Sequence, residues 1–455
     1  MKKGIFVIPL IVSAACVGGV LAFSPSASAA IDGENGPIVY IDNQVPTENE
    51  NGNNEDRAVI RQEDTVSQVI TTAPDGSNQQ VAAEEKDSIT AAGISAPNSE
   101  GNYDIAYGVE ATSGCEMYEK TCAVVNKVTT AGDGSVVEGQ DTLARLDSLV
   151  NGSKKYPSES WVTNLSYSPD GQTVLATYSS DKRMSMTHSS VVTIDNTDGT
   201  VTPLVDAKAD PYLNAGYADN GDIYFSQMKC SLDDIVCRWN NRSNLTSDIW
   251  VIKAGETTPA QLTTTSRINE YFIDVSPDSK SVLVAQDSPA CTYHLYVLGK
   301  RDGHPPVFCD YYLVDTTTGA ATKIEDMPSY FVPAYFSPDG TSLIGTAWPT
   351  AHKKTEVARG LIENEAEVYT AVFNLSTKVL AKLTDQLGVI QWAPLAQADS
   401  TPEVPVVTVT ATPTTVVSAT LPNTGSSAVA YMALVIALAF ASTATVIASA
   451  KSYKK

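Results

Sequence analysis

The chain carries few of the residues that most enzymes use. Histidine occurs only four times in 455 residues. There is no Gly-x-Ser-x-Gly elbow, no His-Glu-x-x-His pair and no glycine-rich phosphate loop. Catalytic sets whose members lie far apart in sequence are not excluded by this. Positive charge is also scarce, with 30 Lys+Arg against 52 Asp+Glu and a net charge of −22. That balance argues against nucleic acid or anionic lipid as a general partner. Between Ala30 and Leu421 no segment is apolar enough to span a membrane. None of the seven cysteines lies in a Cys-x-x-Cys. A zinc site is set aside on that ground, and no metal, cofactor or catalytic residue is assigned.

What the chain does have is concentrated at its ends. Lys2-Lys3, an apolar stretch from Ile5 to Phe23, and Ala27-Ser28-Ala29 before Ala30 have the order of a secretory signal peptide. Cleavage is expected after Ala29 or Ala30. Cys16 does not read as an acylation site, because Ser13 stands where a large aliphatic residue is expected. At the other end, Leu421-Pro422-Asn423-Thr424-Gly425 precedes a 22-residue apolar run, 429–450, and then Lys451, Lys454 and Lys455. As a helix the run reaches about 33 Å, enough to cross a hydrocarbon core of about 30 Å. The lysines behind it favour a cytoplasmic tail.

Pentapeptide, span and basic tail in this order resemble the LPXTG sorting signal of Gram-positive surface proteins. The resemblance implies that a sortase cleaves between Thr424 and Gly425 and joins Thr424 to a peptidoglycan amine. The membrane would then hold the chain only before that cleavage. An ordinary single-pass anchor is the alternative. Two lysines leave with the signal peptide and three with the tail, so 25 basic residues face 52 acidic ones, a net of −27. Six cysteines remain after export: Cys115 and Cys122, Cys230 and Cys237, Cys291 and Cys309. An even number in an exported chain reads as disulfides, and sequential pairing is favoured because each pair falls in its own loop.

The segment between the two ends is repetitive. Tyr167-Ser168-Pro169-Asp170-Gly171 recurs as Val275-Ser276-Pro277-Asp278-Ser279 and as Phe336-Ser337-Pro338-Asp339-Gly340, with a weaker copy at Tyr217-Ala218-Asp219-Asn220-Gly221. Proline fixes φ, aspartate bonds back to the backbone and glycine supplies positive φ, so each copy predicts a tight turn. Short apolar strands flank each turn, such as 173–178, 222–225, 281–285 and 342–347, and a second hairpin follows. Four antiparallel strands recur every 50 to 60 residues or so, the spacing of propeller blades. The pattern resembles the TolB-like β-propeller repeat over most of residues 37–395.

We therefore expect an all-β fold, a six-bladed β-propeller with four-stranded antiparallel blades. Five or seven blades remain as alternatives, because the two N-terminal units are the least regular. One blade is expected to be split, with 389–394 pairing beside 37–41 to close the ring. The expected organisation is signal peptide 1–29, propeller 30–397, a Thr/Pro/Val-rich linker 398–420, and sorting signal 421–455 with its transmembrane helix 429–450.

Loops between second and third strands should emerge together on one face. That face would gather all three cysteine pairs and a set of cations and aromatics: Lys182, Arg183, His188, Arg238, Trp239, Arg242, His294, Arg301, His304, Trp348, His352 and Lys353. It is the candidate ligand-binding face, for an unknown protein or glycan. Ordinary long polar loops would have the same composition, and acidic turns such as Asp195 to Asp198 fit turn chemistry before calcium. The alternatives to a binding module are a propeller-type glycan lyase or hydrolase, its histidines holding a metal, and a structural component of the envelope.

Overall fold

The computed structural model describes residues 36–44, 66–73, 75–182, 187–210, 213–229, 246–265, 268–286, 310–328, 330–347, 369–384 and 390–393. The chain divides into two compact units, Met1–Ala398 and Asp399–Lys455, and every described residue belongs to the first. Regular structure among these residues is all β. The first strands are β1 (Ile38–Gln44), β2 (Val66–Thr72) and β3 (Gln80–Glu85). Next come β4 (Ser88–Ile94), β5 (Tyr103–Ala111), β6 (Glu119–Thr130) and β7 (Val136–Leu146), then β8 (Ser158–Tyr167), β9 (Thr173–Lys182), β10 (His188–Asp195) and β11 (Val201–Lys208). They are followed by β12 (Asn214–Tyr217), β13 (Ile223–Met228), β14 (Ser247–Ile252) and β15 (Ala260–Gln261), and by β16 (Glu270–Val275), β17 (Ser281–Gln286), β18 (Asp310–Asp315) and β19 (Ala321–Lys323). The last are β20 (Phe331–Phe336), β21 (Ser342–Ala347), β22 (Tyr369–Asn374), β23 (Leu380–Thr384) and β24 (Ile390–Trp392).

Pairing follows chain order and is antiparallel almost throughout, giving a propeller-like arrangement. Strands β12–β15, β16–β19 and β20–β23 each form a four-stranded sheet, and β24-β1-β2-β3 forms a fourth. In that sheet Trp392 lies opposite Ile38, so the end of the body closes onto its beginning. The expectation of six separate blades is corrected at β4–β11, which form one eight-stranded sheet. Within it are two antiparallel sets of four, joined where β6 runs parallel to β8 through Glu119 opposite Ser158 and Thr121 opposite Glu159. The cause is local. A disulfide hairpin tip lays the start of β6 beside the start of β8, and Lys120 pairs with Glu159 at 2.7 Å across the junction.

The core lies between successive sheets, which explains why strands such as β13 are buried at every position. Tyr271, Leu283 and Tyr311 pack against Phe331, Leu343 and Phe373, and Tyr224 and Ile249 pack against Phe272, Val282 and Val284. The innermost strands β24, β4, β8, β12, β16 and β20 contact one another in a closed cycle. Side chains on these strands reach the backbone of the next. Gln391 accepts from Ile94 N at 2.8 Å, Asn164 donates to Ala215 O at 2.8 Å, Asn214 donates to Phe272 O at 3.2 Å, and Asp274 accepts from Phe336 N at 2.8 Å. Among the described residues no helix is long and apolar enough to cross a membrane. The signal peptide, the linker, the Leu421–Gly425 motif and the 429–450 span lie outside the described residues.

Candidate functional site

The repeated turns fold as their chemistry dictates. In the β8–β9 turn Ser168 Oγ donates to Asp170 at 2.6 Å and accepts from Thr173 N at 3.0 Å, while Gly171 N returns to Ser168 O at 2.8 Å. The β20–β21 turn repeats this network, with Ser337 Oγ to Asp339 at 2.5 Å and Ser342 N to Ser337 Oγ at 2.9 Å. In the β16–β17 turn Ser276 holds Asp278 at 2.7 Å, and Ser279 takes the glycine position with φ of 56°. The β12–β13 turn lacks the serine, and Asn220 replaces the aspartate by accepting from Asp222 N at 3.0 Å.

The last two turns, the two that depart from the motif, border a cleft of about 680 Å³ between the β12–β15 and β16–β19 sheets. A volume of this size is in the usual range for small-ligand pockets. One wall carries Asp219, Asp222, Tyr224 and Lys253, and the other carries Asp278, Lys280 and Thr316. Two hydrogen bonds brace the second wall and tie it to the first: Asn220 N donates to Ser279 Oγ at 3.2 Å, and Thr316 Oγ1 donates to Ser279 O at 2.9 Å. Two of the carboxylates are neutralised in place. Burial works against the charge of Asp222, but Lys253 Nζ at 2.8 Å and Ala254 N at 2.9 Å outweigh it and hold the carboxyl below its ordinary range. The Ser276 hydroxyl, then Lys280, hold Asp278 low as well, with Lys280 Nζ 3.2 Å away.

Asp219 differs from these: its side chain is exposed at the cleft rim, and desolvation by the atoms packed around it raises its carboxyl. Nearby on β16, Asp274 is partly buried, and desolvation pushes its carboxyl up to about 7. Hydrogen bonds from Phe336 N and Val275 N oppose that shift, and the charge of Asp219 adds to it. Tyr335 is raised by burial and then by Asp274. Its hydroxyl donates to Asn164 Oδ1 at 3.3 Å, a bond that crosses the cycle of inner strands from β20 to β8. Two carboxyl groups of raised affinity for protons thus lie together, one of them on the cleft.

The residues singled out from the sequence lie elsewhere. The cleft is built from turns joining first to second and third to fourth strands, which places it on the face opposite the loops joining second to third strands. On that loop face Cys115 and Cys122 form a disulfide. Ser158 stands opposite Lys182 and beside Glu119, so the structure brings the disulfide hairpin and Lys182 to one edge. Lys182 Nζ donates to Asn151 O at 3.4 Å, and His188 starts β10 opposite Ser180. Cys115, Glu119 and Cys122 are the one grouping at metal-ligand distance among the described residues, and the disulfide takes both sulfurs. Arg183, Cys230, Cys237, Arg238, Trp239, Arg242, Cys291, His294, Arg301, His304, Cys309, Trp348, His352 and Lys353 lie outside the described residues.

At the bases of the 230–245 and 287–309 segments sits a buried polar cluster that the sequence reading did not single out. Lys229 pairs with Asp248 at 3.2 Å, and Asp248 also accepts from Thr265 N at 3.0 Å. Glu270, raised by burial, accepts from Thr263 Oγ1 and from Gln286 Nε2 at 2.9 Å. The cleft residues were missed because aspartates and lysines in turns read as turn chemistry. The available signal was the departure of two adjacent turns from the serine–proline–aspartate–glycine pattern.

No protein-family model matches the chain, and no curated protein matches it either. Solved structures similar to it include TolB from Acinetobacter baumannii, at 15% identity, covering 79% of this chain and 67% of that one, with a TM-score of 0.48. Another is the Pyrococcus horikoshii acylaminoacyl peptidase, at 10% identity, covering 77% and 44%, with a TM-score of 0.42. A third is an oligogalacturonate lyase from Vibrio parahaemolyticus, at 11% identity, covering 77% and 86%, with a TM-score of 0.34. The chain spans less than half the length of the peptidase. These likenesses are too distant to assign an activity. The all-β, propeller-like class stands on the strand pairing itself.

Proposed function

We propose that the chain is an exported surface protein, joined to peptidoglycan through Thr424, whose β body binds a ligand in the cleft between the β12–β15 and β16–β19 sheets. The observation that carries the binding role is that the cleft is preformed. Its walls are hydrogen-bonded turns linked to each other by Asn220 and Ser279, so little ordering cost opposes a ligand. The wall attachment rests on the order of pentapeptide, apolar run and lysines at the C-terminus, with a sortase and peptidoglycan as the partners it calls for.

The attachment is tested by expressing the full chain in a sortase-bearing Gram-positive host and digesting the wall with a muramidase. Mass spectrometry should find Thr424 joined to a peptidoglycan amine, and Thr424→Ala should abolish that species. Release of uncleaved chain by detergent alone would mark a membrane anchor instead.

One observation favours a second reading, a glycan-active enzyme. Asp274, at about 7, lies beside Asp219, and two carboxyls with raised affinity for protons are the raw material of acid–base catalysis. That reading requires turnover of a wall glycan that is lost in Asp274→Asn while binding persists.

A further inference from the structure

The wedge between the β8–β11 strands and the β12–β15 sheet changes character along its length. At one end it is apolar, with Leu175 and Val191 packed against Leu213, Phe225 and Ile252. Toward the loop face it turns polar. Thr177 follows Leu175 at the two-residue spacing that keeps side chains on one face, and Gln227 follows Phe225 in the same way. Thr177 stands opposite Asn164, whose amide crosses to Ala215 O, so this face looks onto β12. On the other wall Gln227 stands opposite Asp248 and Phe225 opposite Trp250, so these four share one face of their sheet. Thr177 is fully buried and Gln227 is only 5% exposed.

Much of the polar chemistry here is satisfied within the protein. The Ser179 and Ser189 hydroxyls bond each other at 2.8 Å, and Asp248 is held by Lys229 at 3.2 Å and by Thr265 N at 3.0 Å. Three atoms are not: Thr177 Oγ1, Gln227 Nε2 and Trp250 Nε1 are buried without a hydrogen-bond partner among the described residues. A buried polar atom left unpaired is costly, so each calls for one. Two of the three can only donate, and the third is a hydroxyl that donates or accepts. Whatever completes them is therefore rich in acceptor oxygens. An anion would lie against Asp248, whose paired cation is Lys229, and would meet the repulsion of a chain with a net charge of −22.

We propose that this wedge holds a neutral saccharide, its oxygens accepting from Gln227 Nε2 and Trp250 Nε1 and one of its hydroxyls bonding Thr177. Trp250 is partly exposed, which gives the sugar a route in and an aromatic face to lie along. The site is independent of the cleft, which lies on the opposite side of the β12–β15 sheet, where Tyr224 points.

The test titrates the full chain calorimetrically, in a detergent without a sugar headgroup, with chitobiose, cellobiose and glucuronic acid. At least one neutral disaccharide should bind ten-fold or more tightly than glucuronic acid. Binding of chitobiose alone would assign the acceptor to the acetamido carbonyl, and equal binding of both to ring hydroxyls. Gln227→Met keeps the shape and removes the donor, so it should weaken that binding ten-fold or more without lowering the melting temperature, because an unpaired donor leaves with it. Should it lower the melting temperature, Thr177→Val decides, with the same loss expected. Failure of both neutral disaccharides to bind would overturn the proposal and leave water as the partner of these groups. Binding unchanged in both variants would overturn it as well, as would glucuronic acid bound as tightly as the neutral sugars.

Discussion

Asp274 is the residue whose environment departs furthest from its ordinary one in a way solution chemistry can read. Its folded carboxyl titrates near 7, against an ordinary value of 3.8. Between those values the folded protein holds a proton that the unfolded chain has released, so this group's contribution to stability is complete below about pH 4 and is lost as pH rises through 7. Asp219 is shifted the same way. Asp222 and Asp278 are shifted down, so their contributions are lost only at lower pH. Thermal melts between pH 5 and 8 should therefore show stability falling with pH, and Asp274→Asn should flatten that slope. Equal slopes in the two proteins would mean that Asp274 is ionised like any exposed aspartate.

The turns are the element that joins sequence to site. Gly319 shows how little freedom they have: its φ is 70°, and an added Cβ would lie 2.3 Å from Leu262 O on the preceding sheet. Gly319→Ala should destabilise the protein by roughly 2–4 kcal/mol, combining a left-handed backbone penalty with overpacking against a carbonyl. Denaturant unfolding measures it, and a change below about 0.5 kcal/mol would show that the turn yields. These turns were legible because proline, aspartate and glycine act locally, and the strands around them followed from short apolar runs. The pairing of Ile390–Trp392 with Ile38–Tyr40 was legible too, since 389–394 and 37–41 each read as a strand lacking a neighbour. The fusion of β6 with β8 was not, because it depends on Glu119 meeting Ser158 across a folded hairpin. Likewise the start of β4 at Ser88 is fixed by pairing of Ser88 and Ile89 with Glu110 and Val109 rather than by a local turn signal. The cleft was illegible for the same reason. Asp219 and Lys280 belong to turns of different sheets, and nothing local says that they line one cleft.

At the scale of the whole molecule the ring of strands is closed by its last one. Ring closure depends on β24, whose Trp392 is buried and donates from Nε1 to Gly36 O at 3.0 Å. Trp392→Ala should cost roughly 3–5 kcal/mol and open the β1 edge, read as lower stability with new aggregation. The net charge of −22 favours partners with positive groups.

The measurement that separates the cleft from the loop face is calorimetric binding of wall fragments to the full chain, to Asp219→Asn and to Lys182→Glu. The wild type and Lys182→Glu should bind alike, and Asp219→Asn, altered in the cleft lining, should bind more weakly. Binding lost in Lys182→Glu and kept in Asp219→Asn would contradict the cleft assignment and move the working surface to the loop face.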